Sequence, residues 1–126
     1  MNKFLRWLPA LLWATLIFLL SSLSNPPMPG PDFPYKGKVG HVCLYAGLGW
    51  LIVRALRHGH GLALPRATAL AIVLVAAYGA SDEWHQSFVP DRHCRFTDVL
   101  IDTFGGCIAV ASFYAYETAK ANRRIA

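Results

Sequence analysis

The sequence predicts an all-α membrane protein, a single domain built as a bundle of four transmembrane helices. Hydrophobic residues make up 55% of the 126 residues. A soluble domain can also reach that fraction, so the distribution of these residues decides. They are concentrated in four runs, at residues 4–20, 42–53, 67–80 and 99–116. Each run reaches about 17–20 residues once its polar end turn is counted, which is the length that a helix needs to cross about 30 Å of hydrocarbon.

The first run has an alternative interpretation as a signal peptide. It has a basic start, an apolar middle and small residues after it, in "MNKFLRWLPALLWATLIFLLSSLS". Its apolar stretch is long, however, and no clean A-x-A cleavage motif follows. These features favour an uncleaved helix over residues 4–22.

Helix-breaking residues separate the four runs. The segment "SNPPMPGPDFPYKGK" (24–38) contains five prolines and two glycines, which exclude regular structure and predict an irregular lid over one end of the bundle. The segment "RHGHGLALPR" (57–66) contains Gly59, Gly61 and Pro65. We interpret its His58 and His60 as part of a solvated basic loop rather than as metal ligands. The remaining helices are therefore predicted at residues 38–57, 66–87 and 97–117.

The placement of charge predicts that both termini are cytoplasmic. Eight of the 12 Lys and Arg residues lie at the termini or at the helix ends on the same side as the termini, and four lie in the two alternate loops. This asymmetry follows the positive-inside rule. The net charge of +5 is then a feature of the inner surface, suited to anionic lipid headgroups. No basic stripe with interleaved aromatic residues indicates binding to nucleic acid.

Polar residues are concentrated in one stretch between two apolar runs, "SDEWHQSFVPDRHCRFTD" (81–98). In the predicted topology the end of the third helix and the starts of the second and fourth helices meet at the outer side. Helical spacing places polar side chains on shared faces there, and Glu83 points about 100° away from the face that holds Asp82. Near the membrane interface such groups still cost free energy, so they indicate either a functional pocket or a purely structural polar network. The residues are Lys38, His41, Tyr45, Asp82, Glu83, His85, Gln86, Arg92, Asp98 and Asp102.

These residue types favour acid–base chemistry on an anionic substrate. His41 and His85 are the candidate acid and base, and Asp82, Glu83 and Asp98 the carboxylates that act with them or orient them. The cationic Lys38 and Arg92 suit a phosphate group, and the side chains of Tyr45, Gln86 and Asp102 complete the predicted binding set.

No cofactor is predicted from these residues. The alternative is a metal ion held by His41, His85 and a carboxylate, a ligand set that zinc accepts. Cys43 and Cys94 are both expected near the outer surface, so a disulfide between them remains open beside the interpretation as unpaired small residues.

Three of these segments together resemble the VanZ-like family, small membrane proteins named for an accessory protein of glycopeptide-antibiotic resistance. The segments are "KVGHVCLYAGLG" (38–49), "SDEWHQSFVPDR" (81–92) and "FTDVLIDTFGG" (96–106). They are similar to the family pattern of Lys-x-x-His-x-x-x-Tyr, then Asp-Glu-x-x-Gln with a Pro-x-Arg turn, then Asp and a small-residue helix. The chain departs from the pattern at Gly37, where the family often has Asp, at Asp102, where Asn is common, and in the turn "VPDR", where Gly often precedes Arg.

The resemblance implies a multi-pass protein of the bacterial cytoplasmic membrane, linked to reduced sensitivity to teicoplanin-like lipoglycopeptides. It implies no particular reaction. We therefore expect a protein that acts on or binds an anionic membrane lipid or a lipid-linked cell-wall precursor. The alternatives are a non-enzymatic lipid-binding or lipid-translocating protein, or a structural subunit of a membrane complex. The oligomeric state stays open, because Gly47, Gly49, Gly105 and Gly106 permit close helix contacts within or between chains.

Overall fold

The computed structural model of the chain describes residues 2–125, which form four α-helices and one turn of π-helix. All four helices are long and apolar enough to cross a membrane. The predicted all-α class and the predicted number of helices are confirmed. The helices are α1 (Lys3–Ser21), α2 (Lys36–Arg54), α3 (Leu64–Gln86) and α4 (Phe96–Ile125), and the π-turn (Ala55–Gly59) continues α2.

The first three helices lie within three residues of their predicted bounds. The side chain of Asn2 caps α1 by accepting a hydrogen bond from the backbone N–H of Phe4. The helix α2 ends at Arg54 rather than at 57, because the chain widens into the π-turn before Gly59. A proline near the start of α3 occupies a position where its missing N–H costs nothing.

The fourth helix is longer than predicted. The prediction ended it at 117, where the apolar run ends, but α4 continues to Ile125. Residues 118–125 read "TAKANRRI", which contains good helix formers and no Gly or Pro. At about 1.5 Å per residue the 30 residues of α4 extend over about 45 Å, so the helix is longer than the hydrocarbon layer is thick.

Close backbone contact between α2 and α4 organises the bundle. A Cβ atom on Gly105 would lie 2.5 Å from the carbonyl oxygen of Val42, and one on Gly49 would lie 2.9 Å from the carbonyl oxygen of Gly106. Only glycine permits this approach, as at other tightly packed membrane helices. These three glycines therefore serve contacts within the chain. Gly47 permits close contact between α2 and α1, because the ring of Trp13 packs directly over it.

The buried core runs along the inner faces of α2, α3 and α4 and also takes in Ala10 and Ile17 of α1. It includes Leu48, Val53, Val75, Val110 and Phe113. Large apolar side chains on the outer faces are exposed, most of all on α1. An apolar outer surface is what a helix bundle presents to lipid.

Two different sets of contacts define the two ends of the bundle. At one end Ser22 Oγ lies 3.0 Å from His85 Nε2, and His41 Nδ1 lies 2.8 Å from Asp102 Oδ1. We call this end the polar end. At the opposite end, the indole N–H of Trp7 donates to His60 Nε2 over 2.8 Å. Successive helices thus run antiparallel, and the ends of α1 and α3 meet the starts of α2 and α4 at the polar end.

Candidate functional site

A chain of side-chain hydrogen bonds crosses the polar end from α2 to the loop after α3. The hydroxyl of Tyr45 donates to Asp82 Oδ2 over 3.0 Å, and Gln86 Nε2 donates to the same oxygen over 3.1 Å. Arg92 Nη1 donates to Gln86 Oε1 over 3.0 Å. Asp82 and Gln86 are four residues apart on α3, so the helix aligns them. The chain therefore fixes the guanidinium of a loop residue against the helices.

A cavity of about 460 Å³ lies beside this hydrogen-bonded chain. Its wall is mostly apolar and comes from α1, from the proline-rich segment 24–38 and from α2. The apolar lining includes Ile17, Leu20, Pro26, Met28 and Leu44, and the polar lining includes His41, Tyr45, Asp82, Gln86 and Arg92. A mostly apolar cleft with a few convergent polar groups is the usual form of a small-molecule site.

The positive charge of Arg92 has no carboxylate partner in the described part of the chain. No Asp or Glu oxygen among residues 2–125 lies within 4.0 Å of its guanidinium nitrogens. Its hydrogen bonds go instead to two neutral oxygens, Gln86 Oε1 and the carbonyl of Leu23, the latter 3.2 Å from Nε. A purely structural network would need Arg92 or Lys38 to neutralise Asp82, Glu83 or Asp98. None of these ion pairs is formed. An arginine fixed in place without a counter-charge is available to bind an anion.

A second polar group lies deeper, where α2, α3 and α4 meet. His41 from α2, Glu83 from α3 and Asp102 from α4 each direct one potential ligand atom to the same place, and these atoms lie within 4.8 Å of one another. Glu83 is 1% exposed and Asp102 is 0% exposed. Their approach is possible because Gly79 and Gly105 bring the three helices close together, and a Cβ on Gly79 would lie 3.3 Å from Asp102 Cβ. We call these three residues the buried triad.

The carboxylates of the polar end carry oxygens with no hydrogen-bond partner. These oxygens are Asp82 Oδ1, Glu83 Oε1 and Asp102 Oδ2, each buried away from solvent. The second oxygen of Glu83 accepts one bond, from the backbone N–H of Arg95 over 3.2 Å. Buried polar atoms without a partner are rare because each costs free energy. Such atoms indicate that a proton, a water molecule or an ion completes the site.

A comparison with known protein families identifies the family of this chain. The VanZ/LLP1 family model matches residues 4–117. The chain belongs to the VanZ-like family. Searches of curated proteins and of solved structures found no match.

The match covers every residue of the predicted site in this VanZ-like protein, and the structure divides that site into two groups. Tyr45, Asp82, Gln86 and Arg92 form the hydrogen-bonded chain beside the cavity. His41, Glu83 and Asp102 form the buried triad. His41 connects the two groups, because it lines the cavity and also contacts Asp102.

Three predicted residues lie outside both groups. Lys38 is exposed, with its Nζ 5.6 Å from the ring centre of Tyr35, and it does not line the cavity. His85 turns toward α1, where its ring stacks on Phe18 with 4.5 Å between ring centres. Asp98 is half-buried one turn before Asp102.

The set of possible metal ligands also differs from the predicted one. The alternative of a metal ion combined His41 with His85 and a carboxylate, whereas the potential ligands that converge with His41 are Glu83 and Asp102. The disulfide left open by the sequence is not formed, because Cys43 and Cys94 are both free.

The end of α1 contributes to the polar end, and this contribution was not predicted from the sequence. Buried Ser21 contacts Gln86 Nε2 over 3.5 Å, and the carbonyl oxygen of Leu23 accepts from Arg92. Trp13 attaches α1 to α2 by donating its indole N–H to the carbonyl of Leu44 over 2.8 Å. Serine and leucine after an apolar run carry no signal of their own. A tryptophan within a membrane helix does give one, because its N–H usually finds a partner when buried.

Proposed function

We propose that this VanZ-like protein binds the anionic headgroup of a membrane lipid, or of a lipid-linked cell-envelope precursor, in the cavity at the polar end. The observation that carries the proposal is the guanidinium of Arg92. It lies at the edge of a mostly apolar cavity, is fixed by two neutral acceptors and has no carboxylate partner among residues 2–125. Arginine binds phosphate through paired charge-assisted hydrogen bonds, so a phosphate-bearing headgroup fits this position.

The shape and lining of the cavity support an amphiphilic ligand. The polar atoms are concentrated on the side formed by Tyr45, Gln86 and Arg92, and the α1 side offers apolar residues such as Ile17 and Leu20. A phosphate group beside the arginine would leave a hydrocarbon chain against the apolar wall. The volume of about 460 Å³ suits a headgroup with the first part of a chain, within the usual range of ligand pockets.

The proposed setting is the bacterial cytoplasmic membrane, with the polar end facing outward. The excess of Lys and Arg on the side of the termini supports this orientation. The target of teicoplanin-like lipoglycopeptides lies outside the cytoplasmic membrane, so binding an outer-leaflet precursor would agree with a role in reduced sensitivity to these antibiotics. Family membership supports that role, and the function of this chain in resistance is part of the proposal.

Lipid retention by matched arginine variants tests the proposal. The tag-free protein, its Arg92→Gln variant and its Arg95→Gln variant are placed in nanodiscs of phosphatidylcholine with a small fraction of phosphatidylglycerol or polyprenyl phosphate. Native mass spectrometry then measures the bound lipid. We expect Arg92→Gln to retain anionic lipid at least about tenfold less well, because it loses charge-assisted hydrogen bonds.

The Arg95→Gln variant is the matched control. Arg95 lies in the same loop, its side chain is exposed, and only its backbone N–H takes part in the site. Its variant has the same net charge as Arg92→Gln and should retain lipid like the wild type. Equal retention by wild type and Arg92→Gln would refute the proposal. An equal loss of anionic lipid in both variants would mean that general surface charge, and not the position of Arg92, holds the lipid.

Catalysis on the bound headgroup is the second candidate function. The contact of 2.8 Å between His41 Nδ1 and Asp102 Oδ1 favours it, because a carboxylate on one ring nitrogen orients an imidazole for acid–base work at the other. Release of inorganic phosphate from polyprenyl diphosphate, followed over time in the wild type and in His41→Gln, distinguishes the two functions. Turnover that disappears in His41→Gln while lipid retention persists indicates an enzyme. Retention without turnover in the wild type indicates a binding or translocating protein.

A further inference from the structure

We infer that His41, Glu83 and Asp102 form a binding site for one divalent transition-metal ion. The three residues come from three different helices, and each directs one potential ligand atom to a common point, with all three atoms within 4.8 Å of one another. The inference goes beyond the proposed lipid binding and does not depend on it. It concerns the buried triad, whereas lipid binding concerns the cavity and Arg92.

The electrostatic balance of the buried triad is the first argument. Glu83 and Asp102 are almost completely buried, and no Lys or Arg nitrogen among the described residues lies within 4.0 Å of either carboxylate. Buried carboxylates require a compensating positive charge, either from bound protons or from a cation. A divalent ion would neutralise both carboxylates at once.

The unpartnered oxygens are the second, independent argument. Glu83 Oε1 and Asp102 Oδ2 are buried and make no hydrogen bond, although each carboxylate uses its other oxygen. The carboxylates are therefore positioned by one contact each and keep one oxygen free. In metal sites, a ligating carboxylate is usually held in place by a hydrogen bond to the protein. A carboxylate with one hydrogen-bonded oxygen and one free oxygen is therefore suited to bind a metal ion.

The ligand types and spacing define the class of ion. Imidazole suits Zn²⁺ and Fe²⁺, and carboxylates suit Mn²⁺ and Mg²⁺, so the mixed set favours Zn²⁺ or Mn²⁺. Ligand atoms at about 2.1 Å from one ion lie about 3.4 Å apart in a tetrahedral site, so the widest pair would move together by about 1.5 Å at most. Three protein ligands leave coordination positions open, and His41 lines the cavity, so the ion would border the ligand space.

Metal content and metal binding of the tag-free full chain test the inference. Elemental analysis of the purified protein is followed by titration with Zn²⁺, Mn²⁺ and Mg²⁺ in detergent. We expect one Zn²⁺ or Mn²⁺ per chain, weaker binding of Mg²⁺, and a rise in the thermal unfolding temperature when the preferred ion is added. The absence of stoichiometric binding of either Zn²⁺ or Mn²⁺ to the wild type would overturn the inference and assign the neutralising charge to protons.

Variants locate the site. Asp102→Asn keeps the size of the side chain but removes a charged ligand, and we expect it to lower metal affinity at least about 100-fold. Asp91→Asn is the matched control, because Asp91 is an exposed loop residue with a left-handed φ of 62°, which Asn tolerates. Equal affinity in Asp102→Asn and Asp91→Asn would overturn the assignment. If Asp102→Asn does not fold, Glu83→Gln replaces it, and the wild-type titration remains decisive by itself.

The Arg92→Gln variant separates this inference from the proposed function. Arg92 does not belong to the buried triad. Its variant should bind metal like the wild type even where it loses anionic lipid. Loss of both metal and lipid in Arg92→Gln would contradict the independence of the two sites.

Discussion

The hydroxyl of Tyr45 on α2 donates a buried hydrogen bond of 3.0 Å to Asp82 on α3, and this bond connects the two helices beside the cavity. The other oxygen of Asp82 already lacks a partner. Interhelical hydrogen bonds in membrane proteins contribute about 0.6 kcal/mol on average. A bond to a buried carboxyl group that is otherwise poorly satisfied contributes more, because its loss leaves that group with fewer donors.

We expect Tyr45→Phe to lower the free energy of unfolding by about 1–3 kcal/mol. Only Gln86 would then donate to Asp82. The measurement is thermal unfolding in detergent, with Tyr114→Phe as the matched control, because the ring of Tyr114 is 43% exposed and its hydroxyl makes no hydrogen bond within residues 2–125. An unfolding temperature of Tyr45→Phe equal to that of the control would mean that the bond contributes no stability.

Hydropathy was sufficient to predict the number and approximate positions of the helices, and helical spacing predicted part of the site. Asp82, His85 and Gln86 were expected on one face of the third helix, with Glu83 on another. The structure has Asp82 and Gln86 beside the cavity and Glu83 toward α4, whereas the ring of His85 stacks on Phe18 of α1. Spacing gives the relative directions of side chains along one helix. It was therefore a good guide for Asp82, Glu83 and Gln86 within α3.

Spacing does not give the rotation of one helix against the next, and the predicted partnership between His41 and His85 depended on that rotation. The rotation is set by packing. Gly49 and Gly105 bring α2 against α4, and His85 on α3 faces α1, where its Nε2 lies 3.0 Å from Ser22 Oγ. The end of α4 was missed for another reason. Residues 118–125 form a helix by propensity without being apolar, so a criterion based on hydropathy ends too early.

Gly105→Ala should separate α2 from α4 and disrupt the buried triad. The added Cβ would lie 2.5 Å from the carbonyl oxygen of Val42, and neither backbone can yield as a flexible side chain would. We expect a loss of more than about 2 kcal/mol in the free energy of unfolding, in the range of overpacked cores. Thermal unfolding measures this loss, and metal titration of the folded fraction reports on the triad.

The matched control for Gly105→Ala is Gly40→Ala on α2. A Cβ there would lie 3.9 Å from Met28 Sδ, an ordinary contact. Alanine is about 1 kcal/mol better than glycine inside a helix, so this variant should be as stable as the wild type or slightly more stable. Similar destabilisation of both variants would show that close α2–α4 contact is not the cause.

Trp13→Ala should loosen the α1 wall of the cavity without changing the polar atoms that line it. The indole N–H of Trp13 donates to the carbonyl of Leu44, and its ring packs over Gly47, so this residue holds the α1 wall against α2. We expect the variant to lose roughly 1–2 kcal/mol of helix docking and to retain polyprenyl phosphate several-fold less well in the nanodisc assay. Trp84→Ala is the control, because Trp84 is 68% exposed. Unchanged retention in Trp13→Ala would mean that α1 is not needed for lipid binding.

Thiol labelling of intact cells determines which side of the membrane the polar end faces. Cys94 lies exposed in the loop between α3 and α4 at the polar end. A variant with Cys43→Ser and Cys107→Ala keeps it as the single thiol. The excess of Lys and Arg at the opposite end predicts that Cys94 faces outward. A membrane-impermeant maleimide should therefore label it in intact cells of a bacterial expression host.

The control for the labelling reports on the opposite end of the bundle. Ala63→Cys, in a background with all three native cysteines replaced, places one exposed thiol just before α3. It should react only after the cells are permeabilised. The reverse pattern would place the cavity and Arg92 on the cytoplasmic side. A ligand in the outer leaflet would then be excluded, and the proposed lipid and metal sites would have to be tested with ligands supplied from the inner side.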